Sequence, residues 1–200
     1  MFDVKNRQRE DAVSLRSVEF AGRIFFDFET FDVWRLYRTA LEASRDATVS
    51  VSVSWEEFLV RDVDPDGRIA PKVRALATCA YVRDTHPDAW QRFNQALLTL
   101  IYEEKDDPAK DTTLAVAAAV AGIDAEEVIA GALEPGLELL VASTEAARKL
   151  GVSDVPTVVA TGPPVHIKMT HAANYGNAVR RLELINRMLG DDGIWSLTKP

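Results

Sequence analysis

One thiol, three imidazoles and a short acidic and aromatic segment are the residues of this chain best suited to chemistry. Cys79 is the only cysteine in 200 residues. A single thiol excludes an intrachain disulfide, a CxxC redox pair and any multi-cysteine zinc site. His86, His166 and His171 are scattered, with no His-x3-His or His-Glu-x-x-His spacing to ligate a metal locally. Asp62-x-Asp64-x-Asp66-Gly67 matches the first half of a calcium loop. The position that needs a bidentate Glu is Val73, however, and Pro65 and Pro71 stiffen the stretch, so it reads as an acidic turn. No glycine-rich phosphate loop, nucleotide fingerprint or Ser-His-Asp order is present. What remains is Asp27-Phe28-Glu29-Thr30-Phe31-Asp32-Val33-Trp34, where a hydroxyl and carboxylates meet the expected start of a helix.

The elements that must position this segment follow from periodicity. Ile24–Phe28 is a short aromatic and β-branched run, expected to be a buried strand. From Phe31 to Ala43, Val33, Trp34, Leu36, Tyr37, Ala40 and Leu41 recur at helical spacing; Thr30 stands at the N-cap and Asp32 favours the positive end of the helix dipole. Val49, Val51, Val53 and Trp55 alternate with Ser50, Ser52 and Ser54, the period of a half-buried strand. Strand, helix and strand in that order permit a parallel right-handed crossover. A helical block follows, with segments Val73–Asp84, Pro87–Tyr102, Thr112–Ala121, Asp124–Ala132 and Pro135–Leu150. Pro156–Ala160 and Val165–Lys168 then read as a hairpin around Thr161-Gly162-Pro163-Pro164, and Asn174–Leu189 as a last helix ended by Gly190.

Composition bounds the function classes. The chain is 47% hydrophobic and 27% charged, a globular balance that excludes disordered and collagen-like chains. A net charge of −8 argues against broad nucleic-acid or anionic-membrane binding. Met1–Asp11 is dense in both charge signs with no apolar core, so no signal peptide is expected. The longest apolar run, Leu114–Ile123, is about half of a bilayer span. The expectation is a soluble cytoplasmic protein without nucleic-acid or membrane partners. The helical block and Ile194-Trp195 could supply a homodimer surface.

The order β-α-β, helical block, β-β-α is that of an α/β thioredoxin fold with an all-helical inserted domain. Residues 1–17 would form an N-terminal arm, residues 18–68 and 151–200 the thioredoxin-fold domain, and residues 69–150 the insertion. Specific stretches carry a resemblance to a family. Phe26-Asp27-Phe28-Glu29-Thr30-Phe31-Asp32-Val33-Trp34 resembles the strand-to-helix turn of DsbA/FrnE-like thioredoxin-fold proteins, in the branch of 2-hydroxychromene-2-carboxylate isomerases and mycothiol-linked reductases. Thr30-Phe31-Asp32-Val33 falls where that family carries Cys-Pro-Trp-Cys. Val53–Phe58 is similar to the second strand and its Trp-x-x-Phe exit, and Leu76–Ala80 to the first inserted helix with a structural cysteine. Leu150-Gly151-Val152-Ser153-Asp154-Val155-Pro156-Thr157 resembles the segment whose proline is cis and faces the active-site helix; Asp154 departs from the usual Gly.

The resemblance implies a ligand cleft made by Thr30, Phe31, Asp32 and Trp34 on one side and by Val155 and Pro156 on the other. A small molecule or peptide would bind near Pro156. With Thr30 at the nucleophile position and Val33 at the resolver position, neither step of thiol–disulfide exchange has its thiolate. The leading expectation is therefore a binding or scaffold member with no required cofactor. The alternative is an enzyme that uses glutathione or mycothiol, with the Thr30 hydroxyl holding the sulfur in the helix field. Asp32 would oppose that thiolate. Thr30 also has a simpler reading as the helix cap, and Pro156 as a structural turn. Cys79, on an apolar helix face, reads as a buried and inert thiol, and Glu103–Asp107 as a solvated helix end.

Overall fold

The computed structural model describes residues 18–60, 71–131, 133–160, 164–167 and 176–190. The expected arm 1–17, the Asp62–Gly67 turn, the hairpin residues 161–163, His171 and Ile194-Trp195 lie outside the described residues. Strand β1 (Val18–Phe26) leads into helix α1 (Phe31–Ala43) and strand β2 (Val49–Glu57). Helices α2 (Pro71–Thr85), α3 (Pro87–Thr99), α4 (Asp111–Ala121), α5 (Ala125–Gly131) and α6 (Glu134–Lys149) follow. Strands β3 (Thr157–Val159) and β4 (Val165–His166) and helix α7 (Ala178–Gly190) close the described part of the chain. The sheet runs β2-β1-β3-β4, with β1 parallel to β2 and antiparallel to β3, and β3 antiparallel to β4.

The first strand begins six residues earlier than the Ile24–Phe28 expectation and stops at Phe26. Its early half hides Val18 and Phe20 but exposes Glu19, so the apolar alternation is diluted by polar neighbours. Parallel pairing along the whole of β2, from Val18↔Val49 to Phe26↔Glu57, supplies the backbone partners that extend it. Gly22 sits within it at φ +144°, where a Cβ would come 2.7 Å from the Val159 carbonyl oxygen. The β1–β3 approach thus requires glycine. As expected, β2 is half-buried: its valines are partly covered and its serines exposed, and it forms a sheet edge.

α1 and α7 pack on one another, and α7 also contacts β1. α7 starts later than the expected Asn174: the Asn177 side chain accepts the Arg180 N–H at 3.1 Å, an N-cap bond that sets the first turn. The described part of α7 runs to Gly190. Of the insertion, α2 and α6 lie against β2 and pack closely on one another. Gly136 allows this, since a Cβ there would meet the Ala77 carbonyl oxygen at 2.4 Å. Cys79 is fully buried in α2, and burial pushes its thiol well above the ordinary range, as an inert core residue requires. The expected single helix Pro87–Tyr102 is divided. α3 ends at Thr99 and gives way to a π-helical turn, Leu100–Glu104, stopped by Lys105 at φ +64°.

Candidate functional site

β1 ends at Phe26, and the chain must turn before α1 can begin. Asp27 organises that turn. Its Oδ1 accepts the backbone N–H of Glu29 at 3.0 Å and of Thr30 at 2.9 Å, the local bonding that short acidic side chains offer a turn. The Asp27 side chain is buried, with 5% of the residue exposed. Burial pushes its carboxyl above the usual carboxylate range, while hydrogen bonds from the Thr30 and Glu29 backbone pull it partway back.

Thr30 has the extended backbone of an N-cap, but its side chain makes no capping bond to α1, which corrects the simple capping expectation. Its link to Asp27 is the backbone N–H bond to Oδ1. The Thr30 carbonyl accepts the Val33 N–H at 2.9 Å and the Tyr102 hydroxyl at 3.2 Å. Asp32 lies in the first turn of α1 and pairs with Arg35 at 3.2 Å, so its charge is shared within the helix as well as with the helix dipole. Val33 is wholly buried.

The aromatic side chains form one continuous run. Trp34 stacks on Tyr37 (5.9 Å, 12°) and on Tyr102 (5.7 Å, 9°), and Tyr102 meets Phe31 at 5.9 Å and 57°. Trp34 is only 8% exposed, whereas Phe31, at the end of the run, is 47% exposed. Arg35 stands 4.7 Å over the Phe31 ring and Arg38 stands 5.5 Å over Trp34. The surface that α1 offers at its start is therefore Phe31 with Arg35, and Trp34 is the wall behind it.

Val155 and Pro156 come in along the neighbouring strand. The Phe25↔Thr157 pair of the β1–β3 ladder carries them alongside Phe26 and the Asp27 turn. The Val155–Pro156 peptide bond is cis. Both residues are buried. The Val155 N–H, on the side of the cleft the resemblance implies, donates to Asp154 Oδ1 at 2.8 Å and is not free to bind a peptide. The Pro156 carbonyl accepts the Ile167 N–H at 2.8 Å, which ties the segment to β4. His166 pairs with Thr157 in the β3–β4 ladder, and its Nε2 lies 3.9 Å from Asp154 Oδ2. His86 precedes α3 and contacts Glu127 at 2.8 Å, far along the chain from His166. Among the described residues no group of His, Cys, Asp and Glu could hold a metal ion. No helix among them is long and apolar enough to cross a membrane.

Sequence reasoning missed two residues here. Tyr102 lies in the π-helical turn beyond α3 and from there donates to the Thr30 carbonyl. That turn is closed by the Asp106 N–H on the Leu100 carbonyl and by Lys105 Nζ on the Tyr102 carbonyl. A lone tyrosine at a helix end carries no such signal. The other is Glu57, the last residue of β2, opposite Phe26 in register and fully buried. Arg83 Nη2 approaches its Oε2 at 3.1 Å without hydrogen-bond geometry. Burial pushes the Glu57 carboxyl up to about 7, with Arg83 pulling against it. An alternating Ser/Val strand ending Trp-Glu-Glu gives no notice that one of the two glutamates is interior.

No family model matches the chain, and no curated protein does. Solved structures do. A 2-hydroxychromene-2-carboxylate isomerase superimposes with a TM-score of 0.61 at 11% identity, over 84% of this chain and 94% of that one. DsbA of Pseudomonas aeruginosa gives 0.54 at 16% identity over 88% and 83%. A thioredoxin-like oxidoreductase from Silicibacter pomeroyi DSS-3 gives 0.55 at 17% identity over 86% and 87%. At these identities the similarity defines the fold: a DsbA-like thioredoxin fold in which a helical block separates the β-α-β and β-β-α parts.

Proposed function

We propose that this chain is a thioredoxin-fold binding or scaffold protein that has lost disulfide exchange and presents Phe31, Asp32 and Arg35 to a small molecule or peptide. One observation carries the reading. The positions that the resemblance assigns to the two thiols hold Thr30, whose backbone N–H is bound by Asp27, and Val33, which is wholly buried. Neither can form a mixed disulfide, and Cys79 is sealed in α2. Trp34, Val155 and Pro156 back the site, and Tyr102 closes over Thr30, so a ligand meets the exposed face of Phe31 first. The reading needs no cofactor. It suits a cytoplasmic setting, where a lone thiol stays reduced. An insulin-disulfide reduction assay on the pure protein tests it: no turnover above the reductant-only control is expected, and sustained turnover would end the proposal.

A second reading has the fold similarity to 2-hydroxychromene-2-carboxylate isomerase in its favour. On it the chain is an isomerase, transferase or reductase that binds glutathione or mycothiol at Thr30. For such a thiol the Thr30 hydroxyl must turn to the sulfur, and Asp32 must not repel it. A ligand at 100 times its dissociation constant stabilises a fold by about 2.7 kcal/mol. A thermal-shift series with each thiol, silent up to millimolar concentrations, would discard this reading.

A further inference from the structure

Away from the Thr30 site, α3 and α4 leave an open groove of about 700 Å³ between them. The two helices run antiparallel: Arg92, early in α3, donates from Nη2 to the carbonyl of Ala121, the last residue of α4, at 3.0 Å. α4 buries Leu114, Ala117, Ala118 and Ala121, yet it also turns Val116 and Val120 outward, 48% and 61% exposed. These valines are one helical turn apart and flank the groove, with Ala96 and Leu100 of the other wall opposite. Two large apolar residues at i and i+4 on an exposed stripe form a ridge that a further helix can pack against.

Charge then gives the groove a direction. Glu104 and Asp106 lie at the end where α3 and the π-helical turn finish, so their carboxylates add to the negative end of the helix dipole. Their neighbours Glu103 and Asp111 are paired, with Arg38 and Arg74 respectively, but Glu104 and Asp106 have no cationic partner among the described residues. The opposite end carries Arg92. The net charge of −8 adds a long-range attraction for a basic segment.

We propose that the α3–α4 groove is a docking site for an amphipathic helix of a partner protein. The partner lays an i, i+3, i+4 apolar face on Val116 and Val120 and sets lysine or arginine beside Glu104 and Asp106. This is helix-in-groove recognition with a fixed polarity. It does not rest on the proposal for Thr30.

Isotope-labelled full-length protein titrated with peptides of about 15 residues provides the test. One peptide carries leucines at helical spacing and lysines at one end, a second has the same composition scrambled, and a third has glutamates in place of the lysines. The first should bind saturably and shift amides confined to residues 92–106 and 113–121. Val116→Asp with Val120→Asp, at exposed positions that leave the circular dichroism unchanged, should weaken it about tenfold or more. Glu104→Gln with Asp106→Asn should weaken it by about three- to tenfold and flatten its salt dependence. Equal binding of the scrambled peptide would overturn the proposal, as would shifts elsewhere, unchanged affinity in the valine variant, or no binding at millimolar concentration. Hexylammonium ion that matched the patterned peptide in affinity would also overturn it, in favour of a site for small organic cations.

Discussion

Two acidic side chains lie buried where adjacent parallel strands end: Asp27, just after β1, and Glu57, the last residue of β2. Asp27 is supported by its own turn, through the N–H groups of Glu29 and Thr30. Glu57 has no hydrogen bond to either oxygen among the described residues and depends on the Arg83 guanidinium, which comes from the inserted helix α2. Burial raises both carboxyls, but only Glu57 is brought near neutrality, at about 7. The contrast teaches that desolvation alone does not set the outcome. Backbone donors that fold with the residue hold a carboxylate cheaply, whereas a distant ion pair leaves most of the desolvation cost in place.

The sharpest way to break this comparison is to remove the distant partner. Arg83→Met should destabilise the protein by about 1–2 kcal/mol more at pH 8 than at pH 5, because Glu57, already raised to about 7, must then take up a proton or hold an unpaired buried charge. At pH 5 Glu57 is already protonated; chemical denaturation at the two pH values measures the difference. The same group predicts a pH profile. The Glu57 carboxyl is raised from an ordinary 4.5 to about 7, so the folded state binds more protons than the unfolded state between those values. Its contribution is therefore fully present below about 4.5 and is lost as pH rises through about 7. Glu57→Gln should flatten that fall, and an unchanged slope would assign it to another group.

Asp27 is the other arm of the comparison. Asp27→Ala leaves the Glu29 and Thr30 N–H groups without their acceptor and should cost about 1–3 kcal/mol. Tyr102→Phe keeps the stack with Trp34 but deletes the bond to the Thr30 carbonyl, for about 0.5–1.5 kcal/mol. The smallest expected change is Thr30→Ala. A working threonine cap is worth about 1 kcal/mol, but Thr30 makes no capping bond, so its removal should cost less than the Tyr102 change. A larger loss would show that its side chain is a principal support of the turn.

Local pattern and a few specific residues determined much of this protein. The helical spacing of Val33, Trp34, Leu36 and Tyr37, the Ser/Val alternation of β2, the five inserted helices and the Val-Pro-Thr segment could all be read from the chain. So could the absence of thiols at residues 30 and 33. These features depend on neighbours within a few positions, where periodicity and side-chain chemistry act directly. The tertiary structure decided the rest. It extended β1 back to Val18 through pairing with β2, broke α3 into a π-helical turn from which Tyr102 donates to Thr30, and closed the Val155 N–H onto Asp154. It also made Glu57 interior while Glu56 pairs with Arg23 beside it. Each of these depends on a residue that is distant in sequence or on which neighbour fills a space. Burial and pairing are properties of the packed chain, and no local spacing encodes them.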